Sequence, residues 1–362
     1  MAPVGGRIAG NPNMEYRKLG RTDLSVSALC LGTMTFGQQN NESEGHAQLD
    51  YAFSRGVNFL DTAELYSIPP RPETQGSTER IVGSWLKARG GRDKVIVATK
   101  VAGRGEMTWL RENNAPTRLD KKNIAYAIEG SLRRLQTDYI DLYQLHWPDR
   151  SVPLFGSDGT VWRQPSAREE VAVEETLAAL DELVKAGKVR HIGLSNETPW
   201  GVARFLRGAK AGVGPRVVSI QNAYHFLNRA FEMGLAEFAW RDQVGLLAYS
   251  PLAQGYLTGK YQNGARPPGA RTTLFERGQR YETAGAAEAI DKYLALAEEL
   301  GLDPAQFAIA YVTSRPFVTS SIIGATTLAQ LEADMGSIEV KITPEIEARV
   351  DALHQLHGNP TP

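Results

Sequence analysis

Cysteine is almost absent: Cys30 is the only one in 362 residues. No intramolecular disulfide can form, and no cysteine-based metal cluster can be built. Cys30 lies in the apolar run "ALCLGTM", the setting of a buried, unreactive thiol. Histidine is scarce too, with six residues and no H-x-H or H-E-x-x-H. Charge of one sign is lacking. With 40 basic and 41 acidic side chains and a formal net charge of -1, no general field attracts nucleic acid or an anionic membrane. No window approaches the ~20 apolar residues of a membrane span. The first 13 residues, "MAPVGGRIAGNPN", hold no apolar stretch long enough for a signal peptide. They read as a flexible leader, and the expected location is the cytoplasm. No G-x-G-x-x-G follows a first strand; "GVGPRV" near Gly212 lacks the third glycine. No linker of biased composition divides the chain. One domain is expected over 14–357, with 358–362 as a C-terminal tail.

What is there is a rhythm. A short β-branched apolar run is followed, again and again, by a longer amphipathic stretch. The runs are "ALCLGTM" (28–34), "VNFLD" (57–61), "VIVATK" (95–100), "YIDLYQLH" (139–146), "VRHIGLSN" (189–196), "VVSIQN" (217–222), "VGLLAYSP" (244–251) and "SSIIGAT" (320–326). Continuous apolar character suits parallel strands buried on both faces. Several stretches between them carry helix caps: Asp120, Thr198 before Pro199, and Asp303 before Pro304 with Gln306 completing a box-like start. "EGHAQLDYAFSRG" stops at Gly56, and "VEETLAALDELVKAG" at Gly187. Eight β–α pairs predict a closed (β/α)8 barrel, with a doubly wound sheet as the alternative. Four long connections, 67–78, 101–118, 147–169 and 254–281, all leave strand C-termini, the face where barrel enzymes build their sites. They are expected to cover substrate or cofactor.

Polar residues close several apolar runs. Asp61, Lys100 and His146 end three successive strands, and Tyr66 follows Asp61 by five positions. In a barrel these ends converge on one mouth. Each residue alone could be a cap or a solvated structural group; together they have a definite chemistry. A phenol with a pKa near ~10 is a weak acid at neutral pH. A neighbouring ammonium favours the phenolate and is expected to lower that value. Lys100 can supply the charge, Asp61 can hold Lys100, and His146 can hydrogen-bond a substrate oxygen or share in proton transfer. Such a group polarises a carbonyl and protonates its oxygen as hydride reaches carbon. No side chain donates hydride, so a reduced nicotinamide is required.

These residues resemble the aldo-keto reductase family. "GTMTFG" (32–37), "FLDTAELY" (59–66), "ATK" (98–100), "DYIDLYQLHWPD" (138–149), "GLSN" (193–196), "QNAY" (221–224), "AYSPLAQGYLTGKY" (248–261) and "IIGATTLAQL" (322–331) match its motifs in order, from about Met14 to Ile346. "PPRPETQGSTE" (69–79) and "RLQTDYIDLYQLHWP" (134–148) are closest to the bacterial Tas-type members. The potassium channel β-subunits are more distant relatives. The resemblance implies a barrel with an N-terminal β-hairpin and long loops on its C-terminal face. It implies reduction of aldehydes and ketones to alcohols with NADPH, and no metal. Tyr66 matches the general acid, with Asp61, Lys100 and His146 completing a tetrad. Gly32, Thr33 and Met34 fall in the first-strand signature and are assigned to the cofactor. Ser195, Asn196 and Gln221 match the residues that hold the nicotinamide carboxamide, and Tyr249 the aromatic on which the ring stacks. Ser250, Pro251, Leu252 and Gly255 match the segment around the pyrophosphate. Lys260 matches a charged partner for phosphate, and Arg271 an arginine beside the adenosine. Gly324, Thr326 and Gln330 fall in the segment that grips the adenosine end.

Two positions depart from the family pattern. Thr326 stands where many members have an arginine on the 2′-phosphate, so Lys260 and Arg271 must provide the charge. Asp334 stands where asparagine is common, and adds a negative charge near an anionic cofactor. Trp147 is expected to border the substrate pocket; Met34, Phe36, Trp109 and Trp162 are further candidates, or ordinary packing. The partner is a small-molecule carbonyl, and the chain is expected to be a monomer or a homo-oligomer. Two other functions compete: a cofactor-binding regulatory protein with vestigial turnover, like the channel subunits, and a metal-dependent barrel hydrolase. The hydrolase needs several strand-end ligands, and of the six histidines only His146 closes a strand.

Overall fold

Apolar runs that alternate with amphipathic helices have one way to bury both sheet faces: the sheet closes and the helices ring it. The computed structural model describes residues 13–152, 164 and 169–361, and shows this arrangement. A short antiparallel hairpin, β1 (Tyr16–Lys18) and β2 (Ser25–Ser27), precedes the barrel. The barrel strands are β3 (Leu29–Gly32), β4 (Phe59–Asp61), β5 (Ile96–Val101), β6 (Ile140–Leu145), β7 (Val189–Ser195), β8 (Val217–Ala223), β9 (Gly245–Tyr249) and β10 (Val318–Ile323). They pair in parallel in chain order, and β10 closes on β3. Each lies within, or one or two residues from, its apolar run.

The caps explain where helices begin. Helix α1 (Glu42–Ser54) starts on Asn41, whose side chain accepts from Glu44 N–H while Glu44 returns the bond, a reciprocal box that the sequence reading passed over. Asp120 caps the helix Lys121–Leu135, Thr198 the helix Pro199–Lys210, and Asp303 the helix Pro304–Ser314. The box expected at Asp303 is half made: Gln306 N–H donates to Asp303, but the Gln306 amide lies against Gly336. The helix Val173–Lys185 stops before Gly187, which adopts φ +73° as the C-terminal turn requires.

Two cores flank the strands. The larger lies between barrel and helices. The smaller fills the barrel itself: Cys30, Phe59, Ile96, Ala98, Leu142, Val218, Leu247 and Ile322 meet Leu19, Leu24 and Val26 from the hairpin. The hairpin is therefore a stopper on the N-terminal end, and Cys30 is buried as expected. Residues 358–361 are tied to the loop after β8. Asn359 accepts from Arg229 N–H, and the buried Thr361 donates to the Leu227 carbonyl. The leader apart from Asn13, most of 147–169, and Trp162 lie outside the described residues. Among the described residues no helix is long and apolar enough to cross a membrane.

Candidate active site

At the open end the strand termini face one another. Parallel register sets Gly32 beside Asp61 and Asp61 beside Ala98, and sets Lys100 beside Gln144 and Ser195 beside Gln221. Lys100 is wholly buried and donates to Asp61 Oδ2 at 2.6 Å, to the Thr62 carbonyl at 2.8 Å and to Tyr66 Oη at 3.3 Å. All three ammonium hydrogens are thus used. Burial opposes the Lys100 charge, but Asp61 and the Tyr66 oxygen outweigh it and leave its pKa above the ordinary lysine range. The expected lowering of Tyr66 is not the net result. Burial dominates and raises the phenol's pKa, with the Lys100 charge pulling against it. The phenol therefore keeps its proton at neutral pH.

His146 stands edge-on to Tyr66, ring centres 5.5 Å apart. Burial, and then the Lys100 charge, push its pKa well below the usual imidazole value, so the ring is neutral. Its Nδ1 is buried without a hydrogen-bond partner.

A layer of amides supports the ion pair. Asp61 Oδ1 accepts from Gln221 Nε2 at 2.8 Å and from Gln144 Nε2 at 3.2 Å. Gln144 was missed in the sequence. Its signal was a polar residue two positions before His146 in an apolar strand, hence on the same inward side. Ser195 Oγ donates to the Gln221 carbonyl at 2.8 Å. Asn196 Nδ2 donates to the His146 carbonyl at 2.8 Å and to Ser195 Oγ at 3.1 Å, while its Oδ1 accepts from Tyr249 Oη at 2.7 Å. The candidate carboxamide ligands are thus brought together but bonded to one another. Thr33 also faces inward, committing its N–H and hydroxyl to the Asp61 carbonyl.

A cavity of about 850 Å³ opens over these groups. Every residue assigned above to the tetrad or to the cofactor lines it except Lys100, which is covered by its partners. Toward β9 and β10 the backbone turns sharply. Ser250, Ala253, Gln254 and Gly255 all have positive φ. A Cβ on Gly255 would lie 2.6 Å from Lys260 Cε, so the lysine stem packs directly on bare backbone. Arg271 Nη1 lies 3.8 Å from Met34 Sδ, and its Nε has no partner. Burial and the adjacent Arg277 charge push Arg271 down to about 10. Arg277 and Arg280, which the sequence reading did not single out, line the same region. Among the described residues none of Lys260, Arg271, Arg277 or Arg280 has a carboxylate within ion-pair distance. Crowded unpaired cations of this kind are matched to an anionic ligand.

Beyond them, Gln330 Oε1 accepts from the Thr326 N–H and hydroxyl, at 3.0 and 2.9 Å. Asn40 and Thr35 donate to the Thr326 and Ala325 carbonyls, tying the loop after β3 to this segment. A Cβ on Gly324 would meet only the Gly32 carbonyl, so that backbone is open to the cavity. Asp334 is 5% exposed. Burial raises its pKa to about 7, with Lys260 lowering it and Asp303 raising it further.

On the other side Trp147 lines the cavity, its Nε1 donating to the Arg104 carbonyl at 2.8 Å. Met34 lines it as well. Phe36 is instead a core residue beneath Gly45, and Trp109 is 37% exposed and off the cavity. Leu65, Ile68, Pro70 and Met107 are further apolar walls. Below them Arg111 grips Glu64 with two bonds of 2.9 Å, and Glu64 accepts from Ala102 N–H at 2.7 Å. This buried pair ties the 101–118 loop to the segment carrying Tyr66. No group of three His, Cys, Asp or Glu able to hold a metal ion occurs among the described residues.

A stoppered parallel barrel whose mouth combines a buried lysine–carboxylate–phenol chain with unpaired cations belongs among the barrel oxidoreductases. Comparison with known proteins makes the class specific. The chain belongs to the aldo/keto reductase family, whose profile matches residues 28–355. It is an aldo-keto reductase, an enzyme of a family that works with NADP(H). It is 49% identical to the protein tas of Escherichia coli (strain K12) over 96% of this chain and all of that protein. It is 35% identical to an uncharacterized oxidoreductase, YrpG, of Bacillus subtilis, over 96% of this chain and 98% of that protein. A probable voltage-gated potassium channel subunit beta of Oryza sativa is 32% identical over 94% of this chain and 97% of that protein.

Proposed function

We propose that the protein reduces aldehydes and ketones to alcohols with NADPH, and that Tyr66 is the general acid. The observation that carries this reading is the contact of Lys100 with both Asp61 and Tyr66 at the floor of an open cavity. A substrate carbonyl oxygen placed between Tyr66 Oη and the neutral His146 ring meets a phenol that still holds its proton and an imidazole able to donate a hydrogen bond. Reduced nicotinamide, when bound, would supply the hydride for the carbonyl carbon and be oxidised to NADP+. The carbonyl π pair takes the Tyr66 proton, so one C–H and one O–H bond form. The tyrosinate left behind is stabilised by the Lys100 ammonium, which Asp61 keeps charged. Gln144 and Gln221 are positioning residues for Asp61.

The cavity fits the cofactor by its donors. Tyr249 offers a ring at the nicotinamide end, and Ser195, Asn196 and Gln221 offer amide and hydroxyl groups. The segment from Ser250 to Gly255 would run along the pyrophosphate. Lys260, Arg271, Arg277 and Arg280 would meet the phosphates. Thr326 and Gln330 would reach the adenosine end without an arginine, so the 2′-phosphate of NADPH depends on the surrounding lysine and arginines.

The test is Tyr66→Phe. Expected is loss of carbonyl-dependent NADPH oxidation by at least about 10³-fold, with NADPH fluorescence titration unchanged. Undiminished turnover would remove Tyr66 from its role. Tight NADPH binding by the unaltered protein with no turnover on any carbonyl would favour a cofactor-binding partner role instead.

A further inference from the structure

Past the end of β4 the chain runs on beside β5 before it turns to present Tyr66. Thr62 and Glu64 N–H donate to the Ala98 and Lys100 carbonyls at 2.9 and 3.1 Å. In a parallel ladder the next bond would run from Ala102 N–H to the Glu64 carbonyl. That carbonyl instead accepts from Gln75 Nε2 at 2.6 Å. The Glu64 carboxylate takes its place, with Oε1 accepting from Ala102 N–H at 2.7 Å. Glu64 is thus bonded to β5 on both sides of Val101. Two residues on, Tyr66 N–H closes a turn on the Ala63 carbonyl at 3.1 Å, and the phenol meets Lys100. The carboxylate is fixed in its turn. Arg111 donates to Oε2 through Nη1 and to Oε1 through Nη2, both at 2.9 Å. Its Nε donates to Asn123 Oδ1 at 2.6 Å, and Asn123 Nδ2 donates to Asp120, the cap of the helix Lys121–Leu135. The Glu64 and Arg111 side chains are 3% and 4% exposed, and neither lines the cavity. Leu110 repeats the grip by packing with Leu65 and Ala102. Two consecutive residues of the 101–118 loop therefore hold the two residues just before Tyr66.

We infer that Glu64 and Arg111 are positioning residues for the reaction: they keep the Tyr66 hydroxyl within reach of Lys100 while touching neither substrate nor cofactor. This rests on the reading of Tyr66 as proton donor to a carbonyl. A two-pronged guanidinium fixes both oxygens of a carboxylate, so Glu64 offers Ala102 a single orientation. Without Arg111 the carboxylate is a buried charge with no counter-ion, and it turns to water or takes up a proton. Either change releases the bond that stands in for the ladder. A displacement of about 1 Å in a reacting group is enough to cost about 100-fold in rate, and Tyr66 is only two residues away.

Single-turnover oxidation of bound NADPH by 4-nitrobenzaldehyde, an electron-poor carbonyl ready to take hydride, reads the chemical step directly. Arg111→Met should slow that step by about 100-fold and leave NADPH affinity in fluorescence titration unchanged. Arg111→Lys keeps the charge but offers one point contact instead of a fork, and should be slower than the unaltered protein by roughly tenfold. Arg92→Met is the control. Arg92 pairs at 2.7 Å with the buried Asp141, which also accepts a strand N–H, from Val97 at 3.0 Å, but at the opposite end of the barrel. This variant should lose stability and keep its rate. A folded Arg111→Met variant with an unchanged rate overturns the inference and leaves the reductase reading intact. So does an equal slowing by Arg92→Met, which would make the loss general. A slowing that saturating aldehyde removes overturns it too, because the pair would then support only the pocket wall. No oxidation by the unaltered protein, with NADPH bound, overturns the reductase reading and the inference with it. Should Arg111→Met fail to fold, Arg111→Lys decides: a rate equal to that of the unaltered protein overturns the role.

Discussion

Asp334 provides a measurement in which stability and cofactor affinity move together. Its carboxyl lies against the cavity wall, 5% exposed, with a pKa raised from 3.8 to about 7. Burial is the main cause. Lys260 relieves part of it, and Asp303 adds to it. The sign follows from proton counting. Between these two values the folded chain holds a proton that the unfolded chain has lost, so stability falls as pH rises through that window and levels off above pH 7. Each pH unit is worth 1.36 kcal/mol, so the raised pKa costs the fold about 4 kcal/mol at pH 8 and about 1–2 kcal/mol at pH 5. Asp334→Asn imitates the protonated state at every pH. It should therefore gain about 2–3 kcal/mol more over the unaltered protein at pH 8 than at pH 5. For a chain of 362 residues this is about 3 °C in melting temperature. Paired thermal melts at the two pH values read it directly. The same substitution removes an anion beside the proposed phosphate cations, so NADPH should bind several-fold more tightly at pH 8 and little differently at pH 5.5. A melting difference that does not change with pH, or a variant less stable at pH 8, would refute the reasoning.

Lys100→Met would leave Asp61 buried without its counter-ion. It should cost about 3–5 kcal/mol of stability, seen in urea unfolding, and abolish carbonyl reduction; a variant of unchanged stability would mean that Asp61 is not charged. Thr326→Arg would place a guanidinium where only a hydroxyl now faces the cavity. It should raise the preference for NADPH over NADH by roughly tenfold in fluorescence titration, and an unchanged ratio would move the 2′-phosphate site away from Thr326.

Much of this was legible in the residues because it is written locally. Eight buried strands announce themselves by apolar runs, and Asp120, Thr198 and Asp303 announce helix starts through short polar side chains. Asp61, Lys100 and His146 stood out because charge and imidazole are conspicuous at the end of an apolar run. What escaped depends on distant neighbours. Gln144 looks like one polar residue in a strand until the closed barrel turns it onto Asp61. Arg277 and Arg280 look like loop charges until, among the described residues, no carboxylate is found within ion-pair distance of them, whereas Arg104 and Arg150 look equally available until Asp149 and Glu197 engage them. The direction of the Tyr66 shift came out opposite to expectation for the same reason. The sequence places an ammonium nearby, but only the folded site reveals how much water has been removed.

The hairpin that stoppers the barrel has a consequence for traffic. Leu19, Leu24 and Val26 fill the N-terminal end with hydrocarbon, so no column of water can rise to Lys100 or Tyr66 from below. If Tyr66 gives up a proton in each turnover, the replacement has to come down through the mouth. Among the described residues that is also the way out for a product alcohol. Reprotonation and product departure therefore share one passage, and a product slow to leave delays the next proton as well as the next substrate.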